Sequence, residues 1–245
     1  MNVLRSLLFN IQFYLGTSIL VTICLPCLLF SRPVVLFVNR IWCLIMITGM
    51  KWWLNTDINL IGEIPSKNKV VIYAIKHQSA WETVFCTDLF SMPSIVLKKA
   101  LIFLPVIGLY FLRSGAIPIT RDQGINALKK MGRKAKQAVK EKRSMMIFPQ
   151  GTRVNPGVTT KEKPYLPGVF FLYSQTKVSV IPVAHNAGLL WPKNSFIKYP
   201  NRLKSKSITI KILPEIQPGL SKIEFLQKLE TIIEDSSNEL IKLES

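Results

Sequence analysis

Acidic side chains and histidines are what this chain has least of. Asp and Glu number 14 against 32 Lys and Arg, a formal net charge of +18 at pH 7. Such a balance favours anionic partners: a phospholipid surface, nucleic acid or acidic substrates. The alternative is a solvated basic face. The few acids are unevenly spread. Glu224, Glu230, Glu234, Asp235, Glu239 and Glu244 gather in the last stretch, so the rest is more basic than the average. There are two histidines, His77 and His185, and four cysteines, Cys24, Cys27, Cys43 and Cys86. Cys24-Leu-Pro-Cys27 has metal or redox spacing, but it lies in an apolar run. No second Cys pair or His partner follows at ligand spacing. All four read as small hydrophobes, and nothing implies an oxidising compartment. Twelve Gly and 15 Pro in 245 residues exclude collagen-like and low-complexity classes. The chain contains no internal repeat and no G-x-S-x-G nucleophile elbow.

Charge is also missing between Arg5 and Arg32, where Leu, Ile, Phe and Val dominate. A membrane-spanning helix needs about 20 mainly apolar residues, and this run is long enough. It lacks an A-x-A-like cleavage site and exceeds a usual signal-peptide core, which favours an uncleaved anchor. A second apolar segment, Val34–Met50, ends in Lys51-Trp52-Trp53, the composition of a membrane–water boundary. Ser31-Arg32-Pro33 between the two predicts a helical hairpin. Composition leaves open whether it spans the bilayer or lies in one leaflet.

After Trp53, short β-rich runs alternate with helical patterns. Val70–Ile75, Ile95–Leu97, Ala116–Ile119, Met145–Phe148, Val178–Val183 and Ile208–Leu213 are strand candidates. This predicts an α/β fold with a central sheet flanked by helices, preceded by the hairpin. The division is residues 1–53 as membrane anchor and 54–245 as the α/β domain. Asp122–Lys142 is the clearest helix. Asp122 is its expected cap and Ile125, Leu128, Met131, Ala135 and Ala138 form its apolar face. Its outer face carries seven Lys and Arg and suits anionic lipid, an acidic carrier protein or solvent. Ser221 with Glu224 three residues on predicts a capping box for a terminal helix. Leu101–Leu112 is strongly apolar but too short to span, so it is a core helix or a membrane-facing or acyl-chain-lining element.

His77 and Glu82 lie five residues apart, just after the Val70–Ile75 strand. Open α/β sheets place ligands past the carboxyl ends of their strands. A histidine can take a proton from a hydroxyl, and a carboxylate can hold its ring and stabilise the imidazolium. Gln78-Ser79-Ala80 reads as the opening of a helix; residues five apart on a regular helix do not share a face, and a turn at its start can close the gap. Gln150-Gly151-Thr152-Arg153 follows the Met145–Phe148 strand, and a glycine there lets an anion approach the backbone. Arg121 and Arg153 are candidate anion-binding residues or surface charges. His185 lies past Val183 and reads as structural.

Taken in order, His77-x4-Glu82, Arg121, Phe148–Arg153 (F-P-Q-G-T-R) and Val180–Val183 (V-I-P-V) resemble the glycerolipid acyltransferase superfamily. Within it the chain is similar to the bacterial 1-acyl-glycerol-3-phosphate acyltransferases, over roughly Trp53–Gly219. The resemblance implies acyl transfer from acyl-CoA or acyl-carrier protein to the 2-hydroxyl of lysophosphatidic acid, giving phosphatidic acid. It also implies an inner-membrane location facing the cytoplasm, with no cofactor beyond the co-substrate. It places the base on His77, the orienting acid on Glu82 and anion binding on Arg121 and Arg153, with Gly151 and Thr152 shaping the turn. Two positions depart from the family's usual pattern. Glu82 stands where Asp is common. Gln150 stands where Glu is common; it keeps an acceptor, adds donors and loses the charge, which leaves it a positioning role. Competing readings are another acceptor, such as a different lysophospholipid or glycerol 3-phosphate, or a non-catalytic basic membrane-attached binding protein. No motif supports nucleic acid as a partner.

Overall fold

The structure is a computed structural model and describes residues 2–120 and 124–244. Arg121 and Asp122 lie outside the described residues. Seven strands form one sheet: β1 (Asp57–Ile61), β2 (Ile72–Ile75), β3 (Ser94–Lys98), β4 (Ile117–Ile119), β5 (Met145–Ile147), β6 (Val180–His185) and β7 (Ser207–Ile212). Their spatial order is β1-β7-β6-β2-β5-β3-β4. All neighbours pair in parallel except β6 and β7. The parallel pairs account for the near-continuous apolar runs, since helices cover both faces of such a sheet.

Alternate residues build two cores. On one face Ile72, Ala74, Met145 and Val180 meet α6 (Gly124–Lys140), α7 (Gly168–Thr176) and α9 (Lys222–Lys242). On the other, Tyr73, Ile75, Met146 and Ile181 meet α1 (Asn2–Ile11), α3 (Arg32–Leu54), α4 (Trp81–Leu89) and the short α8 (Ala187–Leu190). The capping box forms as the sequence predicts: Glu224 N–H donates to Ser221 Oγ, and Ser221 N–H to Glu224 Oε2. β1 and α7 escaped the sequence reading. β1 is a half-polar, mostly exposed edge strand, and α7 is nine residues with apolar side chains on all sides.

The N-terminal hairpin contains two long apolar stretches, Asn2–Ile23 and Arg32–Leu54. The first joins α1 through a π-helical turn to α2 (Thr17–Ile23). Both stretches touch the α/β body at each end. Asn2 Nδ2 donates to Asn201 Oδ1 at 2.8 Å and Lys198 Nζ to Asn10 Oδ1 at 2.6 Å. At the far end Tyr110 Oη donates to the Val21 carbonyl at 3.3 Å and Arg32 Nε to the Ser114 carbonyl at 3.0 Å. The hairpin therefore lies along the body, with Leu4, Ile23, Leu29, Phe37 and Trp52 exposed on its outer side. The Leu101–Leu112 run divides into a 3-10 turn (Lys99–Phe103) and α5 (Ile107–Arg113). Phe103 and Leu109 extend the exposed apolar face.

Candidate active site

The loop after β2 carries His77, and α4 begins at Trp81. Gln78–Ala80 make the connecting turn rather than opening the helix. That turn closes the five-residue gap: His77 Nδ1 lies 2.8 Å from Glu82 Oε1. The same oxygen accepts the Gln78 and Ser79 N–H groups, both at 2.8 Å, and Oε2 accepts Ser79 N–H at 3.1 Å. Glu82 is fully buried in the first turn of α4, where the helix dipole favours a carboxylate. Burial opposes its charge, but the His185 ring, the His77 bond and the Ser79 amide outweigh burial and hold the carboxyl below its ordinary value. An ionised Glu82 accepts the Nδ1–H of His77. That leaves His77 Nε2 as the free, basic nitrogen.

His185 proves to be part of this arrangement. Its Nε2 lies 2.7 Å from the Lys76 carbonyl, to which it donates, and its Nδ1 accepts Ala187 N–H at 3.2 Å. That pairing fixes the orientation of the ring, and burial lowers its pKa from the ordinary value. Nε2 stands 3.8 Å from Glu82 Oε2. The sequence signal was its place at the carboxyl end of β6, close to the strand-end position that singled out His77.

The loop after β5 comes to the same place. Val154 N–H donates to the His77 carbonyl at 2.8 Å, tying the two loops together. Gly151 has φ +64, a conformation other residues adopt at a cost, and its N–H donates to the Phe148 carbonyl. The Phe148 ring stacks on His77, centroids 4.0 Å apart. Gln150 is buried, with both amide atoms lacking a hydrogen-bond partner among the described residues. Gly151, Thr152 and Arg153 line a cavity of about 530 Å³ together with His77. Its remaining wall is largely apolar, including Leu97, Leu101, Phe111, Leu128, Met131 and Val169. Arg153 has no ion-pair partner among the described residues. Of the predicted site residues, His77, Glu82, Gln150, Gly151, Thr152 and Arg153 converge, while Arg121 lies outside the described residues.

A mostly parallel α/β sheet with a histidine–carboxylate pair at its strand ends, opening on an apolar cavity, defines the class. The chain belongs to the Acyltransferase family, whose model matches residues 57–186. It is 34% identical over 170 residues to the 1-acyl-sn-glycerol-3-phosphate acyltransferase of Pseudomonas aeruginosa, covering 69% of this chain and 64% of the relative. A Saccharomyces cerevisiae protein of the same name is 28% identical over 147 residues, covering 59% of this chain and 48% of the relative. The matched stretch thus spans less than two thirds of either relative. The crystal structure of the 1-acyl-sn-glycerophosphate acyltransferase from Thermotoga maritima shares the fold. Its TM-score is 0.71 at 20% identity, over 98% of this chain and 95% of that one.

Proposed function

We propose that the chain transfers a fatty acyl group from a thioester donor, acyl-CoA or acyl-carrier protein, to the 2-hydroxyl of 1-acyl-glycerol 3-phosphate, giving phosphatidic acid. One observation carries the reading: a histidine held by a buried carboxylate stands at an apolar cavity that Arg153, with no ion pair among the described residues, also lines. The names of the Pseudomonas and Saccharomyces relatives agree with this acceptor.

In this reading the acceptor hydroxyl attacks the thioester carbonyl directly. His77 Nε2 takes its proton, a new C–O bond forms and the C–S bond breaks. The imidazolium returns the proton to the departing thiolate. Glu82 steadies that imidazolium and fixes the ring. Arg153, with Arg121, grips the acceptor phosphate. Gly151 and Thr152 shape its turn, and Gln150 positions the loop or the acceptor. The apolar wall holds acyl chain, and the exposed face of the hairpin seats the protein in one leaflet. The same reading puts the protein at a bacterial inner membrane, with the site facing the cytoplasm.

The test is turnover of the purified chain with lysophosphatidic acid and both thioester types, beside His77→Ala. Transfer should be present in the parent and fall by about 10²–10⁴-fold in the variant. A folded, lipid-bound variant with parental activity would remove His77 from the chemistry.

A further inference from the structure

Over its 17 residues α6 carries six Lys and Arg and no Asp or Glu. Lys129, Lys130, Arg133 and Lys136 line an open groove of about 770 Å³ between α6 and α7, with Phe171 and Gln175 on the α7 side. None of the four is in an ion pair among the described residues. Lys129 and Arg133 are four apart, and Arg133 and Lys136 three apart, so like charges face each other along the helix and weaken it. No carboxylate among the described residues pairs with these four to relieve that repulsion. At the centre, Gly132 brings the two helices together, since a Cβ there would lie 2.8 Å from the Phe171 ring.

The groove's place in the fold decides what kind of anion it meets. Met131 and Ala135 of α6, with Val169 and Leu172 of α7, pack on one sheet face, while Phe9 and Leu54 of the hairpin pack on the other. A bilayer that covers the hairpin's exposed apolar side lies across the sheet from the groove. The anionic partner of the groove is therefore a soluble one. The same helix pair also bounds the candidate site: Ala127, Leu128 and Val169 line its cavity. Groove and cavity sit on opposite sides of one helix, roughly 10 Å apart.

We propose that the α6–α7 groove docks an acidic carrier protein that delivers the acyl thioester. This rests on the acyl-transfer reading above. Carboxylates of the carrier would meet the lysine and arginine rim and steer encounter, and Phe171 would supply an apolar centre to the contact.

Two measurements on the full chain in detergent micelles test it. The first is fluorescence anisotropy of a labelled, unacylated acidic carrier protein at graded salt, with Lys130→Glu/Arg133→Glu as the variant. The second is transfer from acyl-carrier protein and from acyl-CoA. The parent should bind the carrier in a salt-dependent way, and the variant's Kd should rise roughly tenfold. Its kcat/KM should fall by the same factor with acyl-carrier protein and stay unchanged with acyl-CoA, which also reports that it folds. Lys130→Gln/Arg133→Gln should show the same donor-selective fall to a smaller degree. Equal carrier binding by parent and variants, or equal loss with both donors in both variants, overturns the proposal. So does a charge dependence seen with anionic vesicles or a labelled RNA but not with the carrier. Charge-dependent carrier binding by a parent chain that transfers from neither donor would refute the acyl-transfer reading while leaving the docking surface standing.

Discussion

Lys76 Nζ lies 2.6 and 2.5 Å from the two carboxylate oxygens of Glu234, so α9 clasps the residue immediately before His77 from behind the sheet. Tyr165 Oη donates to Glu234 Oε1 at 2.8 Å and completes the cluster. The Lys76 side chain is 3% exposed and Glu234 13%, so removing one partner strands a charge out of reach of water. Glu234→Ala should lower unfolding stability by about 3–5 kcal/mol. Lys76→Met/Glu234→Leu should recover most of that loss, because the pair's desolvation cost disappears with it. Thermal melts in detergent read both. A single variant that melts with the parent would show that the clasp holds nothing.

Glu82 and His185 set the acid limit of the fold. Both folded-state pKa values are depressed, Glu82 below its ordinary 4.5 and His185 below its ordinary 6.5. The unfolded chain then binds more protons than the folded one, so stability rises with pH. Both contributions are complete above pH 6.5. On acidification the His185 share declines first, starting near 6.5, and the Glu82 share declines below 4.5. Melting temperature followed over roughly pH 3–8 should show both legs. His185→Gln should flatten the upper leg and Glu82→Gln the lower. In activity, Glu82→Gln should lower kcat by about 10²–10⁴-fold with little change in KM, since it holds the base rather than the substrate. An unaltered lower leg in Glu82→Gln would place the acid transition elsewhere.

Gln150 offers a separation of fold from function. Its buried amide has no hydrogen-bond partner among the described residues, which is a cost to the folded chain. Gln150→Leu should leave stability unchanged or raise it by up to about 1–2 kcal/mol. If the amide meets the acceptor, KM for lysophosphatidic acid should rise while the melting temperature holds. A stability loss with unchanged KM would make Gln150 a structural residue.

Much of this arrangement was legible because it is local. Val70–Ile75 is short, apolar and β-branched, and a strand end followed by His77 and then Glu82 needs only one turn to bring the pair together. Ser221 and Glu224 announce their helix through a three-residue spacing. What was not legible depends on distant partners. β1 owes its existence to pairing with β7, and its D-I-N-L-I sequence is only half apolar. His185 reads as an ordinary structural histidine until β6 is set beside β2 and its ring reaches the Lys76 carbonyl. The hairpin's direction along the body likewise follows from contacts between residues far apart, such as Asn2 with Asn201 and Arg32 with Ser114.

The apolar cavity predicts a dependence on chain length. Leu128 lines it from α6 and is only partly buried, so a larger side chain there takes up part of the cavity. Leu128→Trp should reduce turnover of long-chain substrates and spare short-chain ones. Each methylene denied the apolar wall forfeits about 0.8 kcal/mol of burial. Competition assays with mixed chain lengths read the shift. A uniform fall across lengths would mean that the chain binds elsewhere.

The hairpin makes the sharpest prediction about the membrane. A helix of 22 or 23 residues is about 33–35 Å long, enough to cross a bilayer core. A crossing helix carries one of its ends to the far side. Here Asn2 and Val21 of the first stretch, and Arg32 and Leu54 of the second, all meet the same α/β body. Both stretches should therefore lie in one leaflet, with the turn at Phe30–Ser31 on the side that carries the site. Single cysteines at Ser31 and at exposed Ser205, in a background with Cys24, Cys27, Cys43 and Cys86 replaced, can be labelled in sealed vesicles with a membrane-impermeant maleimide. The two should label from the same side. Replacing Lys198 with Ala removes its bond to Asn10 and its contact with the Trp191 ring, 4.3 Å away. That change should loosen α1 from the body without reversing the pattern. Labelling of position 31 from the opposite side to position 205 would establish a spanning hairpin and overturn the one-leaflet arrangement.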